Sequence, residues 1–348
     1  MTQLILLSPY PLKSGIVGVH IRDYIEEYRK MGYSIKAEKM YFWENKLLYS
    51  LKWLYLLRYL VNRNNIFFFH QHTPTASGPF IIPFLLLLRL MGYKPIVVAH
   101  ETPDTYAKYL SPFFKKLYYG YEKAIVALSY HYVVHTALHK REIEKLIHKP
   151  NLHIIPLPVP QVIRVVAEKK YWGIYGMVSH KKGVDLLLDA YQALPPGSFP
   201  PLKIMGTAAP GDEKYLATIQ AKVKPEHAAH IHFTGYVADE DKATLFADVS
   251  LMIFPYRWIS QSGVLNETCM YRIPYLAADV PFFQDFQESF GGGHLFPQGD
   301  VKGLQKVLME LADAPLHIGE EVFTAMEKLF SLDHCASRFQ TLIESCKL

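Results

Sequence analysis

The chain has 348 residues, half of them hydrophobic, enough for two domains that each bury a core. Its three cysteines, Cys269, Cys335 and Cys346, show no metal-ligand spacing and are too few for a disulfide framework, so a reducing, cytoplasmic setting is expected. The net charge of +5 is unevenly spread: residues 1–160 hold 20 Lys+Arg against 10 Asp+Glu, and residues 161–348 hold 17 against 22. A basic half joined to an acidic half points to an anionic ligand or surface on one side, and no nucleic-acid motif accompanies the charge, so nucleic acid is not an expected partner.

No basic leader precedes the first apolar run, so Gln3–Leu7 reads as a buried strand and not a signal peptide. Further strands are predicted at Ser34–Met40, Ile66–Phe69, Pro95–Ala99, Tyr132–Val134 and His153–Pro156, with helical stretches such as Val19–Met31 and Pro112–Ala127 between them. The run Lys46–Arg63 carries Lys46, Lys52, Arg58 and Arg63 among aromatic residues, a composition suited to an anionic bilayer. Those cations do not share one helical face, so a partly buried helix is the rival expectation. Phe113–Tyr121 is a second cationic, aromatic stretch. The most apolar segment, Pro79–Met91, contains Pro83 and Arg89, is too short to span a bilayer, and reads as a buried helix.

Leu157-Pro-Val-Pro-Gln161 is a seam, because two prolines disfavour helix and favour an extended linker. A second series of strands follows at Tyr171–Val178, Lys203–Met205, Ile231–Phe233, Val249–Phe254, Tyr275–Ala277 and His294–Phe296. The chain ends in helical stretches at Gly303–Ala312, Glu321–Phe330 and Cys335–Cys346. Domains 1–160 and 161–330 are expected, with the helix of 331–348 packing back on the first. Alternation of strand and helix argues for an α/β protein of two Rossmann-like, doubly wound parallel sheets that face each other across a cleft, with function on the loops that follow strands.

Two such loops carry the strongest chemistry. Gly176 to Asp185 (GMVSHKKGVD) and Ser262 to Glu267 (SGVLNE) each read as strand, glycine turn and helix start. A helix start offers N–H groups and a partial positive charge to phosphate, Lys182 adds a full charge, and Glu267 offers a carboxylate to sugar hydroxyls. Ser14 to Gly18 is a third glycine turn, in which Gly15 and Gly18 permit close backbone approach to a ligand. His100 sits at a strand end, with Glu101 beside it as a further polar contact or a helix-capping acid. His70 and His72 occupy another strand end, where no third metal ligand is evident and one of them can line an acceptor cleft. Asp239-Glu-Asp241 is shaped like a metal cluster but opens a predicted helix over Asp239–Phe246, where acids serve the positive end.

These segments, in order and spacing, resemble the two-domain GT-B glycosyltransferases, and more narrowly the retaining glycosyltransferase family 4. The resemblance runs from Ser14–Arg22 through Val97–Glu101, Ile154–Pro158, Lys181–Ala190, Leu202–Gly206 and Phe233–Val237 to Ser262–Glu267. It implies a metal-independent hexosyltransferase without a resident cofactor, acting in cell-surface polysaccharide or glycoconjugate synthesis. The substrates would be a nucleotide-diphosphate sugar and a glycan or lipid-linked acceptor. Contact with the anionic inner face of the cell membrane is expected separately, from the cationic, aromatic stretches of the basic half. The resemblance implies catalytic roles for His100 at the sugar, Lys182 at the leaving diphosphate and Glu267 at the ribose. Donor contacts fall to Gly15, Gly18, Gly176, Gly206, Tyr236, Gln261, Ser262, Gly263 and Val264.

Three positions depart from that family's pattern. The arginine expected five residues before the lysine is Met177, with His180 or Lys181 as partial substitutes. The glutamate expected eight residues before Glu267 is Ile259, with Gln261 as a candidate replacement. A glycine common after the motif is Arg272. The departures keep a second reading open, a non-catalytic partner subunit or glycan-binding protein; a nucleotide-sugar epimerase on the same fold is a third.

Overall fold

The computed structural model describes residues 2–8, 16–40, 46–71, 78, 80–107 and 110–347. Gly15 and His72 lie outside the described residues, and Gly18 is described only as backbone within the first helix. The chain divides into two compact units, Met1–Pro160 with Ser331–Leu348, and Gln161–Phe330.

The first unit holds β1 (Gln3–Ser8), α1 (Ile16–Lys30), β2 (Ser34–Lys39), α2 (Lys46–Leu56), β3 (Asn65–Gln71), α3 (Ile81–Leu90), β4 (Ile96–Ala99), α4 (Pro103–Ala107), α5 (Pro112–Leu128), β5 (His131–Val134), α6 (Ala137–Leu146) and β6 (Leu152–Ile154). The second holds β7 (Tyr171–Tyr175), α7 (Val184–Tyr191), β8 (Leu202–Met205), α8 (Glu213–Ala221), β9 (Ile231–Gly235), α9 (Lys242–Ala247), β10 (Val249–Phe254), α10 (Gly263–Met270), β11 (Tyr275–Ala278), α11 (Pro281–Phe290), β12 (Gly293–Phe296), α12 (Val301–Asp313) and α13 (Glu320–Phe330). The last helix, α14 (Leu332–Cys346), returns to the first unit.

Each unit is built on a six-stranded parallel sheet. The first runs β2-β1-β3-β4-β5-β6 and the second β12-β11-β10-β7-β8-β9. In both, the strand order reverses beside the first strand, between β1 and β3 and between β7 and β10. At such a switch point the flanking connections leave in opposite directions and open a crevice at the carboxyl ends of the strands.

Period-two burial explains the first sheet. Leu4, Leu6, Phe68, Ile96, Val98 and Val133 face one side, covered by Ile21, Tyr24, Ile25 and Tyr28 of α1 and by Cys335, Phe339 and Ile343 of α14. Ile5, Leu7, Phe67, Phe69, Val97 and Tyr132 face the other, covered by Trp53, Phe84, Leu85, Leu88 and Ile125. The three cysteines are buried thiols.

The expected strand Tyr171–Val178 ends at Tyr175, because Gly176 turns to φ 104°, a conformation that breaks the ladder. The helix expected over Asp239–Phe246 opens as a 3-10 turn, Asp239–Asp241, before α9. The buried helix expected at Pro79–Met91 is α3, but its outer face leaves Leu86 and Leu90 exposed. Arg272, where a glycine was expected, keeps the left-handed φ of 55° that favours glycine. Its guanidinium holds Glu327 with two hydrogen bonds of 3.0 and 3.1 Å.

Candidate functional site

In the second unit the crevice lies where β7 and β10 end. The Lys182 side chain folds back over the turn from β7, and its Nζ donates to the Tyr175 carbonyl at 3.1 Å. It lies so close to Gly176 that a Cβ on that residue would overlap it, and 5.6 Å from the centre of the Tyr256 ring. Gly206, just after β8, lies so near the Gly176 carbonyl that a Cβ there would overlap it. Among the described residues no carboxylate pairs with Lys182, and burial lowers its ammonium to about 7, with the nearby Lys181 charge adding to the shift.

The turn that carries Lys182 is fixed from β10. Gly183 has φ 63° and presses on the Pro255 carbonyl, so no other residue fits there without moving backbone. Arg257 grips Asp185, in the first turn of α7, through two parallel bonds of 2.8 and 2.6 Å. Its guanidinium also donates to the His180 carbonyl at 2.7 Å, and its backbone N–H to the Lys181 carbonyl at 2.9 Å. Tyr215 donates its hydroxyl to Asp185 at 2.6 Å. Burial alone would raise the Asp185 carboxyl, but Arg257 and Tyr215 outweigh it and hold it at about 2.

The start of α10 completes this side. The Ser262 hydroxyl accepts the Leu265 N–H at 3.1 Å, so Ser262 is the N-cap and the N–H groups of Gly263 and Val264 have no acceptor within the helix. Val264 packs on Gly176, which joins the helix start to the Lys182 turn. Gln261 lies half-buried just before the cap, and Tyr236, on the loop after β9, is 78% exposed. Glu267 is not an open carboxylate: Lys242 donates to it at 2.8 Å and also to Asp239 at 2.8 Å. Burial raises the Glu267 carboxyl and Lys242 opposes that rise. For Lys242, burial alone would lower the ammonium, but Glu267 and Asp239 outweigh it and the net shift is upward.

The first unit holds a second constellation. His70 Nδ1 lies 2.9 Å from His100 Nε2, His100 Nδ1 lies 3.1 Å from His135 Nε2, and His135 Nδ1 lies 2.8 Å from the Ile155 carbonyl. The three buried rings stand at the ends of neighbouring strands β3, β4 and β5. Both ring nitrogens of His100 are therefore committed to other imidazoles, so a hydrogen bond from His100 to a sugar is not what this geometry offers. His70 also lines a pocket with Leu7, Ser8, Met40, Trp53, Phe69 and Ile81, beside the β1–β3 switch point. Among the described residues no group of three or more His, Cys, Asp or Glu side chains is arranged to hold a metal ion.

Sequence reasoning placed Lys182, Gly176, Gly206, Ser262, Gly263 and Val264 in loops that the fold brings together, and it missed Arg257, Lys242, Tyr256 and His135. His135 had a legible signal, since it ends a predicted strand as His70 and His100 do. Arg257 had only its place in the loop after a strand.

A family model described as Glycosyl transferases group 1 matches residues 169–314. Those residues are similar to the glycosyltransferase domain of that group. Over 130 residues the chain is 29% identical to the D-rhamnosyltransferase WbpZ of Pseudomonas aeruginosa, a stretch that covers 36% of this chain and only 32% of that protein. Among solved structures, HepE of Anabaena in complex with UDP matches with a TM-score of 0.77 at 14% identity, over 99% of this chain and 100% of that one. The sucrose-phosphate synthase of Thermosynechococcus elongatus matches with a TM-score of 0.77 at 14% identity, over 99% of each chain. The lipopolysaccharide outer core galactosyltransferase WaaB, in its apo form, matches with a TM-score of 0.71 at 11% identity, also over 99% of each. The fold is GT-B.

Proposed function

We propose that the protein is a retaining, metal-independent glycosyltransferase of family 4. It moves a hexose from a nucleotide-diphosphate sugar to a glycan or lipid-linked acceptor in cell-surface polysaccharide or glycoconjugate synthesis. The second unit takes the donor and the first the acceptor. One observation carries the reading: Lys182 Nζ stands at the switch point of the second sheet, without a carboxylate partner among the described residues, next to the start of α10.

The chemistry follows from that placement. As the bond between sugar and diphosphate lengthens, negative charge grows on the leaving phosphate. A half-buried ammonium and the helix-start amides of Gly263 and Val264 stabilise it more than they would in water. Glu267 takes the ribose hydroxyls while Lys242, 2.8 Å from it, opposes the rise that burial imposes on its carboxyl. The exposed Tyr236 ring offers a face on which the base stacks. The likeness to a rhamnosyltransferase and to structures holding UDP supports a nucleotide-sugar donor.

A screen of UDP-, GDP- and ADP-linked sugars by thermal shift, followed by release of nucleoside diphosphate, tests the reading. Turnover that is lost in Lys182→Ala supports it. Tight nucleotide binding with no turnover on any sugar assigns instead the non-catalytic partner.

Peripheral contact with an anionic bilayer belongs to the same proposal. Leu51, Leu54, Tyr55 and Val61 of the 51–61 segment and Phe113, Phe114 and Leu117 of α5 are exposed, with Lys52, Arg58, Lys115 and Lys116 among them. No helix among the described residues is long and apolar enough to cross a membrane. Flotation with liposomes containing anionic lipid at low salt tests the contact, and a protein that stays at the bottom of the gradient refutes it.

A further inference from the structure

Lys242, the first residue of α9, reaches Glu267 in α10, and both side chains are mostly buried, 17% and 16% exposed. An ammonium taken out of water needs partners. Lys242 has three: Glu267 Oε1 at 2.8 Å, Asp239 Oδ1 at 2.8 Å, and the Tyr175 ring with its centre at 5.6 Å. The Asp239 side chain is 73% exposed, so water screens that bond and Glu267 is the stronger partner.

A carboxylate accepts hydrogen bonds on both oxygens. Lys242 takes Oε1, and among the described residues no group donates to Oε2. A carboxylate anchored by one oxygen cannot turn to another rotamer without breaking a short ion pair, so the second oxygen is held in one place. The anchor is tied to the phosphate side of the site. The Tyr175 carbonyl accepts from Lys182 while the Tyr175 ring packs near Lys242, so the end of β7 sets both lysines.

We propose that Lys242 is a positioning residue for nucleotide recognition: by holding Oε1 it presents Oε2 of Glu267 to the vicinal ribose hydroxyls of a nucleoside diphosphate, and so sets a preference for ribo- over deoxyribonucleotides. The inference rests on the reading of the second unit as a nucleotide-sugar site, but it does not require that transfer takes place.

The same contact sets a pH range. Hydroxyls donate more strongly to an ionised carboxylate than to a neutral carboxyl. Burial raises the Glu267 carboxyl, Lys242 opposes the rise, and the Asp239 charge adds to it. The other ionisable groups packed there are the phenols of Tyr175 and Tyr271, both pushed up chiefly by burial and therefore neutral at acid pH. Loss of Lys242 leaves the rise in Glu267 unopposed, so the preference for ribose should fade at a higher pH than in the wild type. Lys182 acts on the diphosphate, which ribo and deoxy ligands share, so its own titration cancels in their ratio.

The test is that ratio. Dissociation constants are measured by calorimetry from about pH 5 to 8 for whichever of UDP, GDP and ADP binds, and for its 2′-deoxy and 3′-deoxy counterparts. The wild type should prefer the ribo form ~10-fold or more, as a hydrogen bond to a charged group implies. Glu267→Ala should abolish the preference. Lys242→Met should reduce it and shift its acid limb to higher pH. Should Lys242→Met fail to fold, Lys242→Gln, whose amide can donate to Oε1 without a charge, should keep the preference at alkaline pH and show the same upward shift. A preference that is lost in Glu267→Ala but unchanged in size and pH dependence in the Lys242 variant refutes the positioning role and leaves the ribose contact standing. Binding without a ribo preference, or a preference that survives Glu267→Ala, refutes the ribose contact and this proposal with it. A protein that binds none of the three nucleoside diphosphates refutes the nucleotide reading itself.

Discussion

Lys182 is the residue on which most of the chemistry turns, and its proton can be counted. Its ammonium is held at about 7, well below an exposed lysine, because burial disfavours charge and Lys181 adds repulsion. Between that value and the ordinary lysine range the unfolded chain binds more protons than the folded one, so this residue adds stability as pH rises through the window. A bound diphosphate reverses the balance by favouring the charged form. Nucleoside diphosphate binding near pH 8 should therefore take up a proton, read by calorimetry in buffers of different ionisation enthalpy, and the uptake should vanish in Lys182→Met. Gly176→Ala should weaken the same binding, since its Cβ would displace the ammonium and its φ of 104° strains any side chain by ~1–3 kcal/mol. Lys182 was legible because lysine beside glycine at a helix start is a local pattern. The imidazole chain was not legible as a unit. His70, His100 and His135 lie far apart in sequence and meet only because β3, β4 and β5 are neighbours.

At the scale of elements, the site depends on how α7 and α10 are started. The Arg257–Asp185 pair ties the loop after β10 to the first turn of α7, and both side chains are mostly buried. Asp185 is held at about 2, below its ordinary value, so it contributes stability above ~pH 4 that is lost as pH falls toward 2. Arg257→Ala leaves that carboxylate without its main partner and should cost ~2–3 kcal/mol in denaturant unfolding at neutral pH. It should also flatten the acid limb of the stability curve. Ser262→Ala removes a hydrogen-bonded cap and should cost ~1 kcal/mol. The strands were predicted closely because their alternation matches two buried sheet faces. The turn at Gly176 and the 3-10 opening at Asp239 escaped because glycine strain and the Lys242 ion pairs are set by neighbours distant in sequence.

At the scale of the whole molecule, two sheets with the same kind of strand reversal were expected from the alternation of short apolar runs and helices, and both appear. What the alternation could not tell was which sheet face each helix covers. α14 lies on the first sheet beside α1, where Phe339 meets Tyr24 edge-to-face at 5.1 Å and lies 5.7 Å from Phe68. Removal of residues 331–348 should expose that apolar face. The expected outcome is aggregation on purification or rapid cleavage within residues 1–160 under limited proteolysis, while the second unit stays resistant.

The return of α14 also orders events during synthesis. The chain leaves the first unit after Pro160 and re-enters it at Ser331. As it emerges from a ribosome, the strands of the first sheet come out early with α1 on one face, but that face lacks the rest of its cover until α14 appears. The second unit, continuous from Gln161 to Phe330, has all its parts before then. The later-made half can therefore be complete first, and the earlier-made half waits, with one sheet face half dressed, for α14.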